Sequence, residues 1–418
     1  MRIAIIAAHS SVKQAGGFVS QPSQAAALAR SLAAHGHRVT LYARRDSSAC
    51  PRTTILGKGA VSEHITAGPA RPLAAEHTAR YLPDFARELA EHWRVRQPDV
   101  VHAFSWTAGL AALGSTRHLP VPVLQTFESL GSAERRGLVG AEVSASRVKL
   151  EAVIGRAVAT VLARSAAEAA ELARLAVPKS TVRIVPCGVD TKLFTPDGKH
   201  ADRGRRPRLV AFAVGGTTRG LESVVRAMAQ LPEVELVIVG GPDARHMRRT
   251  GPFRELAQLA AAVGVRSRIT FAGDLEQAAL AALLRSADVM VCASRYEPDG
   301  TAAIQAMACG TPTVVSAVGA HVDAVVDGIT GLLIAPEHPA MLAHRVRSLL
   351  SRPALLQAYG IAAADRAQSR YSQDRIGLET EMAYQRCLRE NSGAAQASVE
   401  DEVGEAARAD LGLIAAFA

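Results

Sequence analysis

Short apolar runs bounded by Gly, Pro or Asp alternate along this chain with longer segments whose apolar residues recur every three or four positions. The short runs read as buried strands and the longer segments as helices lying on them. Residues 2–8 give a first strand, 23–35 a helix closed by Gly36, and 38–42 a second strand. A glycine just past the last periodic residue is the usual helix stop, because only glycine enters the left-handed region there at no cost. Further on, 82–96 and 142–155 read as helices and 99–103, 122–126 and 159–163 as strands, followed by a helix over 166–175 and a strand over 183–185. The rhythm then breaks over 195–207, a polar stretch with Pro196, Gly198, Gly204 and Pro207, which reads as an interdomain linker. It restarts with strands at 208–214, 235–239, 268–271, 289–292 and 313–316 and helices at 220–229, 253–263, 276–286, 301–308 and 339–350. Residues 371–388 form a last helix. The Ala-, Gly-, Ser- and Glu-rich segment 391–418 reads as a disordered tail.

Strand–helix alternation on this scale predicts an α/β fold with doubly wound parallel sheets. A chain of 418 residues suits two such domains better than one. The expected domains are 1–195 and 208–370, each a Rossmann-like unit. In two facing sheets of this kind ligands gather beyond the carboxyl ends of the strands, so the site is sought in a cleft between the halves.

Composition changes this picture little. With 48% hydrophobic and 21% charged residues the chain is ordinary for a soluble enzyme. No apolar run reaches membrane-spanning length, and the opening residues read as a strand, not a signal peptide, which predicts a cytoplasmic protein. The five cysteines include no C-x-x-C pair and read as free thiols in a reducing compartment. Charge is uneven: residues 1–200 hold 25 basic and 15 acidic residues. That surplus fits an anionic partner, a phosphorylated or lipid-linked acceptor or an acidic membrane surface with peripheral association. The plainer reading is a solvated surface with an arginine bias, since only 6 of the 48 basic residues are lysine. Nucleic acid is not expected, because aromatics are few and not interleaved with the basic residues.

The candidate chemistry lies in residues 291–312, V-C-A-S-R-Y-E-P-D-G-T-A-A-I-Q-A-M-A-C-G-T-P. A strand ends, a loop carries Glu297 and Gly300, and a helix starts near Thr301. A helix start offers unpaired N–H groups and a positive dipole end, which suit a diphosphate without a metal. Glu297 can accept protons from sugar hydroxyls, the Thr301 hydroxyl can donate, and Gln305 lies one turn further on. No G-x-G-x-x-G follows the first strand, and no P-loop, G-x-S-x-G or D-x-D occurs, so neither a cofactor nor a metal is expected.

This stretch resembles the signature of glycosyltransferase family four, S-x-x-E-P-F-G-x-x-x-x-E-A-M-A-x-G-x-P. The resemblance extends over about residues 1–390. It takes in Gly16-Gly17 with Leu28, Leu32, Gly36-His37 and Val39, and Pro98-Asp99-Val100-Val101-His102. It also takes in residues 185–194 (V-P-C-G-V-D-T-K-L-F), Phe271-Ala272-Gly273, Ser286-Ala287-Asp288-Val289 and residues 327–333 (D-G-I-T-G-L-L). It implies the two-domain GT-B architecture, with 1–195 the acceptor-side domain and 208–370 the nucleotide-sugar-binding domain, and retaining, metal-independent transfer of a hexose-type sugar from a nucleotide diphosphate sugar. It also implies that the last helix, 371–390, crosses back onto the first domain. Carried over by position, Glu297 meets the donor sugar, Gly300 and Thr301 the diphosphate, and Gln305 the ribose. The loop of Gly16 and Gly17 approaches the donor phosphate, and Phe271 and Gly273 belong to the donor-binding side.

Four positions depart from the family pattern. Gln305 replaces its second glutamate, Gly216 an arginine, Arg219 a lysine, and Glu128 the histidine of T-x-H. The alternative is therefore a catalytically degenerate GT-B protein that serves as a sugar-binding or partner subunit. Several other residues admit a plain structural reading. Gly16-Gly17 alone is equally a turn, His9 and His102 are equally satisfied histidines, Asp190 reads as a loop cap, and Asp323 and Asp327 read as turn residues.

Overall fold

The apolar runs become two sheets in the computed structural model, which describes residues 1–7, 24–137, 143–213, 218, 220–242 and 251–394. Gly16, Gly17, Gly216, Arg219 and His9, and the tail beyond residue 394, lie outside the described residues. The first sheet contains Arg2–Ala7 (β1), Arg38–Arg44 (β2), Thr53–Gly57 (β3), Ala60–Ile65 (β4), Val100–Phe104 (β5), Val123–Thr126 (β6), Thr160–Ala163 (β7) and Val182–Ile184 (β8). Its order is β3-β4-β2-β1-β5-β6-β7-β8. The second contains Arg208–Phe212 (β9), Glu235–Val239 (β10), Ile269–Gly273 (β11), Val289–Cys292 (β12), Thr313–Ser316 (β13) and Gly331–Ile334 (β14), in the order β11-β10-β9-β12-β13-β14. All pairings are parallel except β3 with β4, an antiparallel edge hairpin. The central strands β1, β5, β9 and β12 are buried along nearly their whole length, as strands covered by helices on both faces must be.

The parallel order turns the carboxyl ends of both sheets toward one cleft. Among the described residues, several contacts cross it. The Arg164 guanidinium, after β7, donates to Asp299 Oδ2 at 3.2 Å. The Ala166 N–H donates to Asp323 Oδ2 at 2.6 Å. Tyr296 packs against Gly137, where an added Cβ would lie 2.9 Å from the tyrosine Cβ.

The segment 195–207 has no regular structure, yet it does not hang free. Arg285 donates to the carbonyls of Leu193 at 2.6 Å, Thr195 at 2.7 Å and Lys199 at 3.1 Å, and Arg203 pairs with Asp288 at 2.7 Å. The chain returns to the first sheet where Val189 bridges to Ser372. The helix Gln373–Ala394 then lies on the helix Gln24–Ala34. Gly377 permits that approach, since a Cβ there would lie 2.1 Å from the Ser31 hydroxyl.

Tyr384 on this returning helix is fully buried, and its hydroxyl meets His102 Nδ1 at 2.7 Å. His102 Nε2 meets the Thr126 hydroxyl at 2.9 Å. Both ring nitrogens are engaged, and burial pushes the imidazole down to about 3. His102 is thus a satisfied core histidine that docks the helix. Tyr384→Phe leaves Nδ1 unpaired and is expected to cost about 1–3 kcal/mol in urea unfolding. An unchanged midpoint would show that the bond does not hold the helix.

Candidate active site

The site is built by close backbone approaches after β12 and β13. The Ala320 N–H donates to the Glu297 carbonyl at 3.0 Å. Gly319 sits against that carbonyl with φ +51, and a Cβ there would lie 1.9 Å from its oxygen. Gly220 (φ +84) lies equally close to the end of β12, with a Cβ at 2.8 Å from the Ser294 nitrogen. Gly300 (φ +66) precedes the helix Thr301–Ala308. Its left-handed conformation turns the loop so that Glu297 hangs over the helix start.

Glu297 is 4% exposed. Its Oε1 accepts from the Gly300 N–H at 3.2 Å, and Asp299 Oδ1 accepts from the Thr301 N–H at 2.9 Å. Two of the N–H groups expected to wait for a diphosphate are therefore capped by the protein's own carboxylates. Helix geometry leaves the N–H groups of Ala302 and Ala303 without an intrahelical acceptor, because the first such bond runs from Ile304 to the Gly300 carbonyl. The Thr301 hydroxyl is buried, with the Cys187 thiol as a polar neighbour among the described residues. Gln305 is buried one turn on.

Asp299 stands where the family pattern reads phenylalanine. That mismatch is the signal by which sequence reasoning could have singled it out. Its second oxygen holds Arg164, which is 6% exposed and also faces Glu168 and Glu128. Burial raises the Glu168 carboxyl to about 7, against the pull of Arg164. Burial likewise holds the Glu297 carboxyl well above the usual carboxylate range, with Asp299 adding to it. Glu128 is exposed at the end of β6, on the far side of the cleft.

His321 is fully buried beside Glu297, with Nε2 3.6 Å from Oε2. That is too long for a hydrogen bond. Its Nδ1 donates to the Ser316 carbonyl at 3.2 Å. A carbonyl only accepts, so the neutral ring carries its proton on Nδ1 and turns the Nε2 lone pair toward Glu297. Burial pushes this imidazole down to about 4. Cys292, at the end of β12, completes the surroundings. The sequence alone gave no reason to join His321 and Cys292 to Glu297.

Other expectations resolve differently. The Phe271 ring is buried in the second core under the Arg266 guanidinium. Gly273 (φ +67) offers only its backbone, and its carbonyl accepts from the Gly240 N–H at 2.8 Å. Asp190 caps its loop through the N–H groups of Lys192 and Leu193, and Asp327 holds the Leu333 N–H. Asp323, expected as a turn residue, instead bridges the two halves through Ala166.

The Gly319 contact generates a direct test. Gly319→Ala drives a methyl into the Glu297 carbonyl and is expected to cost at least about 2 kcal/mol in denaturant unfolding. Gly328→Ala, with φ +74 but nothing within 4 Å, carries backbone strain alone. It is expected to cost about 1 kcal/mol. Equal losses would mean that the close approach at Gly319 is not what shapes the loop.

Comparisons with known proteins agree with this architecture. Residues 23–193 match the family model described as Glycosyltransferase Family 4, and residues 197–366 match that described as Glycosyl transferases group 1. D-inositol 3-phosphate glycosyltransferase of Kribbella flavida is 30% identical over 361 residues, covering 82% of this chain and 84% of that protein. Among solved structures, sucrose-phosphate synthase of Thermosynechococcus elongatus superposes with a TM-score of 0.83 at 28% identity, covering 93% of this chain and 99% of that one. The Anabaena protein HepE, in complex with UDP-glucose, shares the fold with a TM-score of 0.71 at 17% identity, over 92% of this chain and 99% of its own. No helix among the described residues is long and apolar enough to cross a membrane. Two parallel-sheet halves facing one cleft, matched by both family models, make this chain a GT-B glycosyltransferase of family 4, the group 1 glycosyl transferases.

Proposed function

We propose that this chain moves a hexose-type sugar from a nucleotide diphosphate sugar to a phosphorylated polyol acceptor, with retention and without a divalent metal on the diphosphate. One observation carries the reading: Glu297 is buried at the head of the Thr301–Ala308 helix, with Gln305 one turn behind it. Glu297 takes the donor's sugar hydroxyls. The Thr301 hydroxyl and the N–H groups of Ala302 and Ala303 take the diphosphate, and Gln305 takes the ribose. Arg219 and the Gly16-Gly17 loop are assigned the remaining phosphate contacts, and Glu128 the opposite wall of the cleft. The acceptor class rests on the names of relatives such as the inositol 3-phosphate enzymes. It rests also on the basic surplus of residues 1–200.

The test is nucleotide release across a panel of UDP-, GDP- and ADP-sugars with excess chelator, with inositol phosphate or unphosphorylated inositol as acceptor. Glu297→Ala is expected to lower kcat at least about tenfold while changing donor binding less, because part of its contact strengthens as charge develops at the anomeric carbon. Gln305→Glu is expected to leave release intact or raise it. Equal release by wild type and Glu297→Ala sinks the assignment of Glu297. Release that requires Mg²⁺ or Mn²⁺ sinks the helix-start account, and equal stimulation by both acceptors sinks the phosphorylated one.

Asp299 yields a separate expectation. Its carboxylate lies at the helix start and pairs with Arg164, so it places negative charge where a diphosphate would sit. Asp299→Asn keeps a cap for the Thr301 N–H but removes the charge. It is expected to tighten UDP several-fold in calorimetry. Weaker UDP binding in this variant would mean that Asp299 supports the donor.

A further inference from the structure

Three metal-ligating side chains converge beside the helix start, and sugar transfer as read above uses only one of them. Cys292 comes from the end of β12, Glu297 from the loop that follows, and His321 from the turn after β13. One ligand atom from each lies within 4.8 Å of the others. Glu297 and His321 are buried and Cys292 is half-buried.

His321 is the second, independent observation. Its ring is fully buried, and its Nε2 has no hydrogen-bond partner. A buried polar atom without a partner costs about 1–3 kcal/mol. The other nitrogen is fixed by the Ser316 carbonyl at 3.2 Å. This is how proteins hold a metal-ligating histidine: one nitrogen donates to a carbonyl and sets the tautomer, and the other presents its lone pair to the ion. The 3.6 Å between Nε2 and Glu297 Oε2 is too long for a hydrogen bond. It is close to the separation, about 3.4 Å, of two ligands on a tetrahedral ion with bonds near 2.0–2.1 Å.

We propose that Cys292, Glu297 and His321 form a binding site for a thiophilic divalent ion of the Zn²⁺ class, with a fourth position open to the cleft. A thiolate, a carboxylate and an imidazole suit Zn²⁺ or Co²⁺ and not the oxygen-seeking Mg²⁺ or Ca²⁺. The two anionic ligands balance the charge of the ion, so it enters a dry place without leaving net charge there. The Ser294 hydroxyl, 3.3 Å from the Cys292 sulfur, is placed to donate to the thiolate. On binding, the Cys292 thiol proton and any proton on the buried Glu297 carboxyl pass to solvent. An ion held here takes the Glu297 carboxylate away from the donor sugar, so it inhibits transfer; this consequence rests on the reading of Glu297 given above.

The full chain, reduced and stripped of metal, is titrated with Co²⁺ and followed by absorbance. One equivalent is expected to produce a thiolate-to-cobalt charge-transfer band in the near ultraviolet together with the strong visible bands of four-coordinate cobalt. Cys292→Ala, and Cys292→Ser with its closer packing, lose the charge-transfer band, and Cys187→Ala keeps it. His321→Ala is expected to weaken Co²⁺ at least about tenfold. No band in folded wild type, or a band that persists in both Cys292 variants, overturns the site. UDP binding by the same metal-free protein is scored separately, so that failure of the ion site and failure of the donor site give different results.

Discussion

One buried guanidinium balances the charge of the cleft. Arg164 lies between Glu168 on its own side and Asp299 on the facing loop, with Glu128 near by. Burying a charge in a protein is costly unless a counter-charge and hydrogen bonds come with it. Here the arrangement makes the two halves mutually dependent: Asp299 needs the cation that the first sheet provides, and Arg164 needs the carboxylate that the second provides. The Ala166 N–H on Asp323 repeats the theme, with a donor near the helix Ala166–Arg174 satisfied from across the cleft.

The same charges set the terms on which a donor enters. A helix start attracts anions through its free N–H groups and dipole. In this chain Glu297 and Asp299 already cap the first of those groups. On the proposed reading, a diphosphate competes there with internal carboxylates. The compensation is a sheltered environment: Glu297 and the Thr301 hydroxyl are buried, and electrostatic contacts are stronger out of water. Close backbone packing at Gly319 and Gly220 makes that dryness possible, because a side chain at either place would push the loops apart.

The returning helix shows how a residue that looks catalytic becomes structural. His102 follows the first sheet's central pattern and ends near the cleft, as a catalytic histidine would. Its two nitrogens are instead spent on Thr126 and Tyr384, 282 residues away in the chain. The C-terminal helix is thereby tied to the first sheet while the helix before it lies on the second core, through Ala363 and Ala367.

The sequence by itself determined the α/β architecture, most strand positions and the family. A strand buried on both faces must be almost wholly apolar, and the start of the Thr301–Ala308 helix is marked by Gly300 in the left-handed region, and both are local patterns. Several elements escaped local reading, two of them for plain physical reasons. The helix Trp106–Thr116 is small and apolar on nearly every side and so has no amphipathic period, and the β3–β4 hairpin is interrupted by Gly57 and Gly59. Only the tertiary structure decided which side chains meet. Nothing local says that Arg164 neutralises Asp299 across 135 positions, that Asp323 caps a distant N–H, or that His321 and Cys292 turn their ligand atoms to Glu297. Such pairings depend on how two sheets and their loops are set against each other, and burial then gives a single charge or lone pair energetic weight that the same residue would lack in water.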